Sequence, residues 1–133
     1  MSAAIDGRAR KLLEGKNFCF VATLRQDGTP HVVPTWVDVT EDRVVLNTAE
    51  GRAWPTNLRR DPRVTLTVAD MANPYEYLTI HGRVAEETRE GADEHIDRMA
   101  QKYLDKDTYP FRAEGEVRIK VLVEPEHVKV NGA

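Results

Sequence analysis

Cysteine is almost missing from this chain: one residue, Cys19, in 133. No disulfide can close within it, and the expectation is a reduced, cytoplasmic protein. Long apolar runs are missing as well; none approaches the roughly 18 residues of a membrane span. The first residues, Met1-Ser2-Ala3-Ala4-Ile5-Asp6, have neither the charged start nor the apolar middle of a leader. There is no basic excess. Lys and Arg number 19 against 22 Asp and Glu, a net charge of −3, which argues against a general nucleic-acid binder. Repeats, low-complexity tracts and linkers are absent, so the expectation is one domain over residues 1–133, long enough for a real core. The histidines, His31, His81, His95 and His127, are scattered without metal-ligand spacing. G-x-S-x-G, G-x-x-x-x-G-K-[ST] and G-x-G-x-x-G do not occur. No catalytic side-chain set and no metal site is expected. If this is an enzyme, a cofactor carries the chemistry and the protein supplies orientation and electrostatics.

What is present is mostly strand signal. Ile5, Ala9, Leu12 and Leu13 fall on one helical face and predict a helix over 3–15, stopped by Gly15, lying as a lid on a sheet. Residues 17–25 alternate with apolar side chains on both faces, which predicts a central strand. Cys19 has no His or cation beside it in sequence and reads as a buried structural thiol. Asp27-Gly28 is a hairpin turn signal. The next strand is predicted over His31–Val39. Pro34 inside it removes a ladder donor and marks an edge, a bulge or a gap facing a ligand. It directly precedes Thr35-Trp36, so Trp36 is either a wall for a flat ligand or a core ring beside a blunted edge.

A third strand, Arg43–Thr48, puts Val44, Leu46 and Thr48 on one face and Val45 and Asn47 on the other. It leads into the segment 51–63, a short helix signal with Pro55 in its first turn and Asp61-Pro62 at its end. Arg52, Arg59, Arg60 and Arg63 lie in this segment. A helix start beside arginines can hold an anion; a solvated surface helix is the alternative. Two further strands are predicted at Arg63–Ala69 and about Tyr75–Glu86. Tyr75, Tyr77, Thr79 and His81 share a face suited to water or a second subunit. A helix over 89–104 carries Ile96, Met99, Ala100 and Tyr103 on its apolar stripe, with His95 expected at the surface. The last strands are predicted at Glu116–Val123 and His127–Val130, broken by Glu124-Pro125-Glu126.

The pieces Phe20-Val21-Ala22-Thr23-Leu24, Asp27-Gly28-Thr29-Pro30, Val33-Pro34-Thr35-Trp36 and Leu46-Asn47-Thr48 lead in order into Arg52 and then Asn57-Leu58-Arg59-Arg60-Asp61-Pro62-Arg63-Val64. In this order and spacing the chain resembles the split β-barrel proteins related to pyridoxamine 5′-phosphate oxidase, most closely the actinobacterial branch that uses the deazaflavin coenzyme F420. The resemblance runs from about Leu12 to Val130. It implies a mostly β fold with flanking helices, a homodimeric split barrel, and a cofactor groove at the subunit interface. By position it assigns Pro34, Thr35 and Trp36 to the ring side of the cofactor. Thr48, Arg52 and Asn57 fall in the phosphate and ribityl region, Asn47 is a further expected cofactor contact, and Tyr77 would reach the groove across the interface. One position departs: where relatives often carry a second cation, this chain has Trp54, which would stack on the cofactor or on a neighbouring strand.

The implied activity is an F420-dependent oxidoreductase that passes a hydride to an activated alkene, a quinone or a similar small acceptor. A proton would come from Thr35, Tyr77 or water. FMN is the alternative cofactor, and a cofactor carrier without turnover is the alternative class. Missing charge at Trp54 favours the deazaflavin, whose phosphate is a singly charged diester, over the dianionic phosphate of FMN. Arg59, Arg60 and Arg63 are candidates to attract its glutamate tail. The expected assembly is a homodimer, because the face of Tyr75, Tyr77 and Thr79 would otherwise be left exposed. Sedimentation should give a dimer at micromolar concentration; a monomer with cofactor still bound would contradict it.

Overall fold

Period-two alternation of Val, Leu and Ile builds most of the molecule. The computed structural model describes residues 3–132; Met1 and Ser2, part of the stretch inspected above for a leader, and Ala133 lie outside the described residues. The elements in chain order are α1 (Gly7–Glu14), β1 (Cys19–Leu24), β2 (Pro30–Thr35), β3 (Asp38–Thr40), β4 (Arg43–Ala49), α2 (Ala53–Arg60), β5 (Arg63–Ala69), β6 (Tyr77–Thr88), α3 (Ala92–Leu104) and β7 (Arg118–Asn131). The strands form one seven-stranded sheet in the order β2-β1-β5-β6-β7-β4-β3. Every pairing is antiparallel.

The two edge strands are neighbours in sequence. Only Trp36 and Val37 separate β2 from β3, and consecutive Cα atoms are about 3.8 Å apart, so the opposite edges meet within about 12 Å. The sheet must therefore curl into a barrel whose seam is bridged by the chain and not by a ladder. Val21, Val44, Leu46, Val64, Leu66, Leu78, Ile80, Val121 and Val123 fill its interior. Ile5, Ala9, Leu12 and Leu13 close one end, with α1 packed against β3, β5, β6 and β7. Cys19 is fully buried in this core, and burial pushes its thiol up to about 12, so it is an inert hydrophobe and not a nucleophile.

The structure corrects several boundaries. The strand expected at His31–Val39 is two strands, and the break falls at Trp36-Val37, after Pro34. Pro34 is accommodated because β2 is an edge and pairs only with β1. The two terminal strands are one, running straight through Pro125. Pro125 faces Gly82, and the β6–β7 register shifts between His81 and Gly82, so a bulge absorbs the missing donor. Ile5 is buried but precedes α1. His95 is not at the surface: it is 2% exposed. It continues the stripe Ala92, His95, Ile96, Met99, Ala100 and Tyr103 that α3 turns toward the sheet. No helix among the described residues is long and apolar enough to cross a membrane.

Gly82 is needed for a close approach. A Cβ there would lie 2.4 Å from the carbonyl oxygen of Glu124 and 3.1 Å from Val123. Backbone cannot yield as a side chain tip does, so Gly82→Ala should destabilise by roughly 1–3 kcal/mol, the cost of overpacking. Thermal denaturation checks this; an unchanged midpoint would mean that the bulge relaxes freely.

Candidate functional site

The site begins at the crossover between β2 and β3. Val37 is buried, and α3 takes both of its backbone polar groups. Val37 N–H donates to the Tyr103 hydroxyl at 3.1 Å, and Lys102 Nζ donates to Val37 O at 2.7 Å. The Tyr103 hydroxyl in turn donates to Asn17 O at 2.6 Å, and Lys102 also donates to Leu13 O at 2.9 Å. Burial raises the Tyr103 phenol and lowers the Lys102 ammonium from their ordinary values. This clamp presents Trp36. Its ring stacks on Tyr103 at 5.1 Å with an interplanar angle of 5°. Tyr109 meets Trp36 edge-on at 5.9 Å, and Phe111 meets Tyr109 in the same way at 5.8 Å. The result is an aromatic wall built from one strand end, one helix and the loop after α3.

Against that wall lies a cavity of about 210 Å³. Pro34, Thr35 and Trp36 form one side, Tyr109, Phe111 and Phe18 the rim, and Asn47, Arg52 and Arg118 the polar end. Strand alternation explains the polar end. Ala49 pairs with Arg118 and Asn47 with Lys120, so Asn47 and Arg118 are diagonal neighbours on one face. Arg118 Nε donates to Asn47 Oδ1 at 2.9 Å, and its Nη1 to Glu116 Oε1 at 3.1 Å. The Arg118 side chain is 2% exposed and lies 5.1 Å from the centre of the Tyr109 ring. A buried guanidinium needs such partners, since an unpaired buried charge is costly. Arg52, just before α2, is freer: its side chain is 47% exposed, and it stands 3.8 Å from Glu116. Glu116 Oε2 is buried with no partner among the described residues.

Of the residues expected at a cofactor, Pro34, Thr35, Trp36, Asn47 and Arg52 meet in this cavity. Thr48, Trp54, Asn57 and Tyr77 do not line it. Thr48 points the opposite way from Asn47, into the interior, where its hydroxyl has no partner among the described residues. Trp54 is 4% exposed and packs in the main core, so it neither stacks on a ligand nor leaves a vacancy for a cation. Asn57 is buried and donates to Thr23 Oγ1 at 3.0 Å. Tyr77 is 37% exposed, on the outer face of β6.

The arginines after Arg52 are also occupied within the fold. Arg59 is gripped by Glu50 and Glu87 at 2.6 Å each, Arg60 donates to Leu24 O, and Arg63 pairs with Asp61 at 2.7 Å. Sequence reasoning missed Arg118, Glu116, Tyr109 and Phe111 as site residues. An arginine set between Val117 and Ile119 at a strand start was the available signal for the first. A larger depression of about 390 Å³ lies on the outer sheet around Thr65 and His81. Arg63, its cation, is paired with Asp61, and it has no aromatic wall, so the smaller cavity is the better ligand site.

A family model described as pyridoxamine 5′-phosphate oxidase matches residues 5–130. The chain belongs to the pyridoxamine 5′-phosphate oxidase family. Among solved structures, this family member is similar to an F420 reductase at 25% identity, with a TM-score of 0.83 over 94% of this chain and 98% of that one. It shares the fold of a conserved hypothetical protein from Mycobacterium tuberculosis, at 20% identity and TM-score 0.71, covering 96% and 86% of the two chains. It also shares the fold of HupZ from Group A Streptococcus, at 17% identity and TM-score 0.67, covering 93% and 95%. Among curated proteins, none matches the chain.

The clamp on Val37 can be tested directly. Tyr103→Phe leaves a buried N–H and a buried carbonyl without their partner, which should cost roughly 1–3 kcal/mol. Trp36 loses part of its seat while Trp54 stays in the core, so tryptophan emission should shift to the red before unfolding. Unchanged emission and an unchanged denaturant midpoint would show that the hydroxyl does not hold the crossover.

Proposed function

We propose that this protein is a homodimeric, cytoplasmic oxidoreductase that binds the deazaflavin coenzyme F420 and reduces a small acceptor such as an activated alkene or a quinone. The observation that carries this reading is the charge at the polar end of the cavity. Arg52 and Arg118 supply two cations, and Glu116 stands between them at 3.8 and 3.1 Å. The sum is about one positive charge. That suits a singly charged phosphodiester and leaves a dianionic terminal phosphate under-compensated in a partly dry site. The similarity to an F420 reductase points the same way.

The residues fit such a group. Pro34, Thr35 and Trp36 give a flat, largely apolar side for a ring system, and Arg52 with the start of α2 offers charge-assisted and backbone donors to a phosphate. When bound, the reduced coenzyme supplies the hydride. The chain's part is to orient it, exclude water with the Tyr109 and Phe111 loop, and offer the Thr35 hydroxyl near the ring side. Size supports a second subunit. A cavity of about 210 Å³ is smaller than the roughly 300–1,000 Å³ of ordinary ligand sites, and a further wall would complete it. Phe18, Phe20 and Val32, 42%, 45% and 58% exposed, form an apolar sheet face beside Pro34 on which a second copy would supply it.

FMN is the second reading, favoured by one observation: Arg118 supplies a cation that Trp54 does not, and movement of Glu116 would free its charge. Titration of the purified protein with F420 and with FMN, followed by absorbance and fluorescence, separates the two. F420 should bind more tightly, and Arg52→Ala should weaken that binding by roughly 1.5–3 kcal/mol, the scale of a hydrogen bond to a charged group, with the far-ultraviolet circular dichroism unchanged. Stoichiometric FMN in the purified protein, or FMN bound about tenfold more tightly than F420, would sink the deazaflavin reading. Turnover of an acceptor panel distinguishes an enzyme from a carrier.

A further inference from the structure

Arginine can only donate hydrogen bonds. The Asn47 atom that meets Arg118 Nε at 2.9 Å is therefore its carbonyl oxygen. The amide nitrogen at the other end has two protons, and one goes to Ala92 O at 2.9 Å. The second faces His95 Nδ1 at 3.0 Å. That nitrogen must be an acceptor, so the ring proton sits on Nε2, which donates to Asp38 Oδ2 at 3.0 Å. A directional chain results: Asp38, His95, Asn47, Arg118, Glu116. His95 is 2% and Asn47 5% exposed, so water does not compete for these bonds. One end of the chain is the buried cation of the ligand cavity; the other is the carboxylate of the short edge strand β3.

We infer that His95 is a positioning residue whose protonation state sets the orientation of Arg118 and makes ligand binding in the cavity depend on pH. A proton added at Nδ1 would set N–H against N–H across 3.0 Å. The Asn47 amide can satisfy an imidazolium only by turning its oxygen toward His95. That rotation presents an NH2 group to Arg118 Nε, donor against donor, and takes the donor away from Ala92 O. One proton taken up at His95 thus unseats Arg118 from its acceptor.

Charged groups on the surrounding elements bias this event in both directions. From β3, Asp38 faces Nε2 and favours proton uptake. Burial acts to raise the Asp38 carboxyl, but the hydrogen bonds from His95 and from Val39 N–H outweigh it and keep the carboxyl below its ordinary value. From α3 itself, Lys102 acts on Asp38 and opposes uptake. From β7, Arg118 opposes it through Asn47, with Glu116 beyond, and Lys120 reaches the start of α3, its Nζ 3.2 Å from where a Gly91 Cβ would be. The consequence for affinity rests on the reading of the cavity as the anion end of the cofactor site; the coupling of His95 to Arg118 does not.

Nitrogen NMR of the unliganded protein between about pH 7.5 and about pH 5.5, with F420 fluorescence titrations at both ends, tests both parts. At the upper pH, His95 should be the neutral Nε2–H tautomer. On acidification, the Arg118 Nε–H resonance should shift in step with the His95 ring, and F420 affinity should fall by roughly fivefold or more. Asp38→Asn keeps an acceptor for Nε2 but removes the carboxylate charge, so the shared midpoint should move to lower pH. The coupling is overturned if Arg118 stays fixed while His95 titrates, if His95 carries its proton on Nδ1, or if neither group responds down to about pH 5.5. If the two resonances move together but F420 binds at no pH, the coupling stands and the cofactor reading falls. The wild-type titration decides these points even if Asp38→Asn does not fold.

Discussion

The grip of α3 on Val37 is the contact on which the rest depends. A seven-stranded curled sheet has a seam, and here the seam is crossed by Trp36 and Val37. A crossover cannot pair with a strand on either side, so its N–H and C=O need other partners once buried. Tyr103 and Lys102 provide them from one helix turn. The same helix seats the Trp36 ring and sends His95 toward Asn47. Closure of the barrel, the aromatic wall and the polar end of the cavity thus share one element. Because α3 reaches all three through its buried stripe, a substitution there changes the site without touching a ligand.

Much of this was legible in the chain. Period-two runs located the strands, Pro34 marked an edge, a bulge or a ligand-facing gap, of which the fold has the edge, and Asp61-Pro62 ended α2 at Arg60. Five of the residues expected at a cofactor, Pro34, Thr35, Trp36, Asn47 and Arg52, line one cavity. What was not legible depended on partners distant in sequence. The continuity of β7 through Pro125 depends on Gly82. Whether Trp54 faces a ligand or the core depends on how α2 lies against β1. Arg118 and His95 looked like strand and surface residues because their partner, Asn47, is 71 and 48 residues away. The helical stripe from Ala92 to Tyr103 did contain His95; composition bias toward treating histidine as polar hid it.

The electrostatics of the site is a matter of pairing more than of charge number. The segment from Arg52 to Arg63 is rich in arginine, yet Arg59, Arg60 and Arg63 are each engaged within the fold. Arg59 and Arg60 fasten α2 to Glu50 just after β4, to β6 and to β1, Arg63 holds Asp61 at the end of the helix, and Arg52 is left as the cation of that segment that opens to the cavity. Arg118 is the reverse case, a cation invisible at the surface that lines the polar end of the cavity. Net charge along a stretch of chain therefore says little about the field a ligand meets; the distribution of carboxylates among the arginines decides it.

The pairing of β4 with β7 has a consequence for how the protein is made. Asn47 and Arg118 become neighbours only when the final strand docks between β6 and β4. The β1–β2 hairpin and the β5–β6 pair are local, whereas the β4–β7 ladder closes a long loop at a greater entropic cost. On a ribosome, where residues emerge in order, the hairpins, the aromatic residues, Asn47 and Arg52 are made before β7, and the cavity lacks Arg118 until that strand docks. The polar end of the cavity therefore takes shape only as β7 joins the sheet, whatever the order in which the hairpins fold.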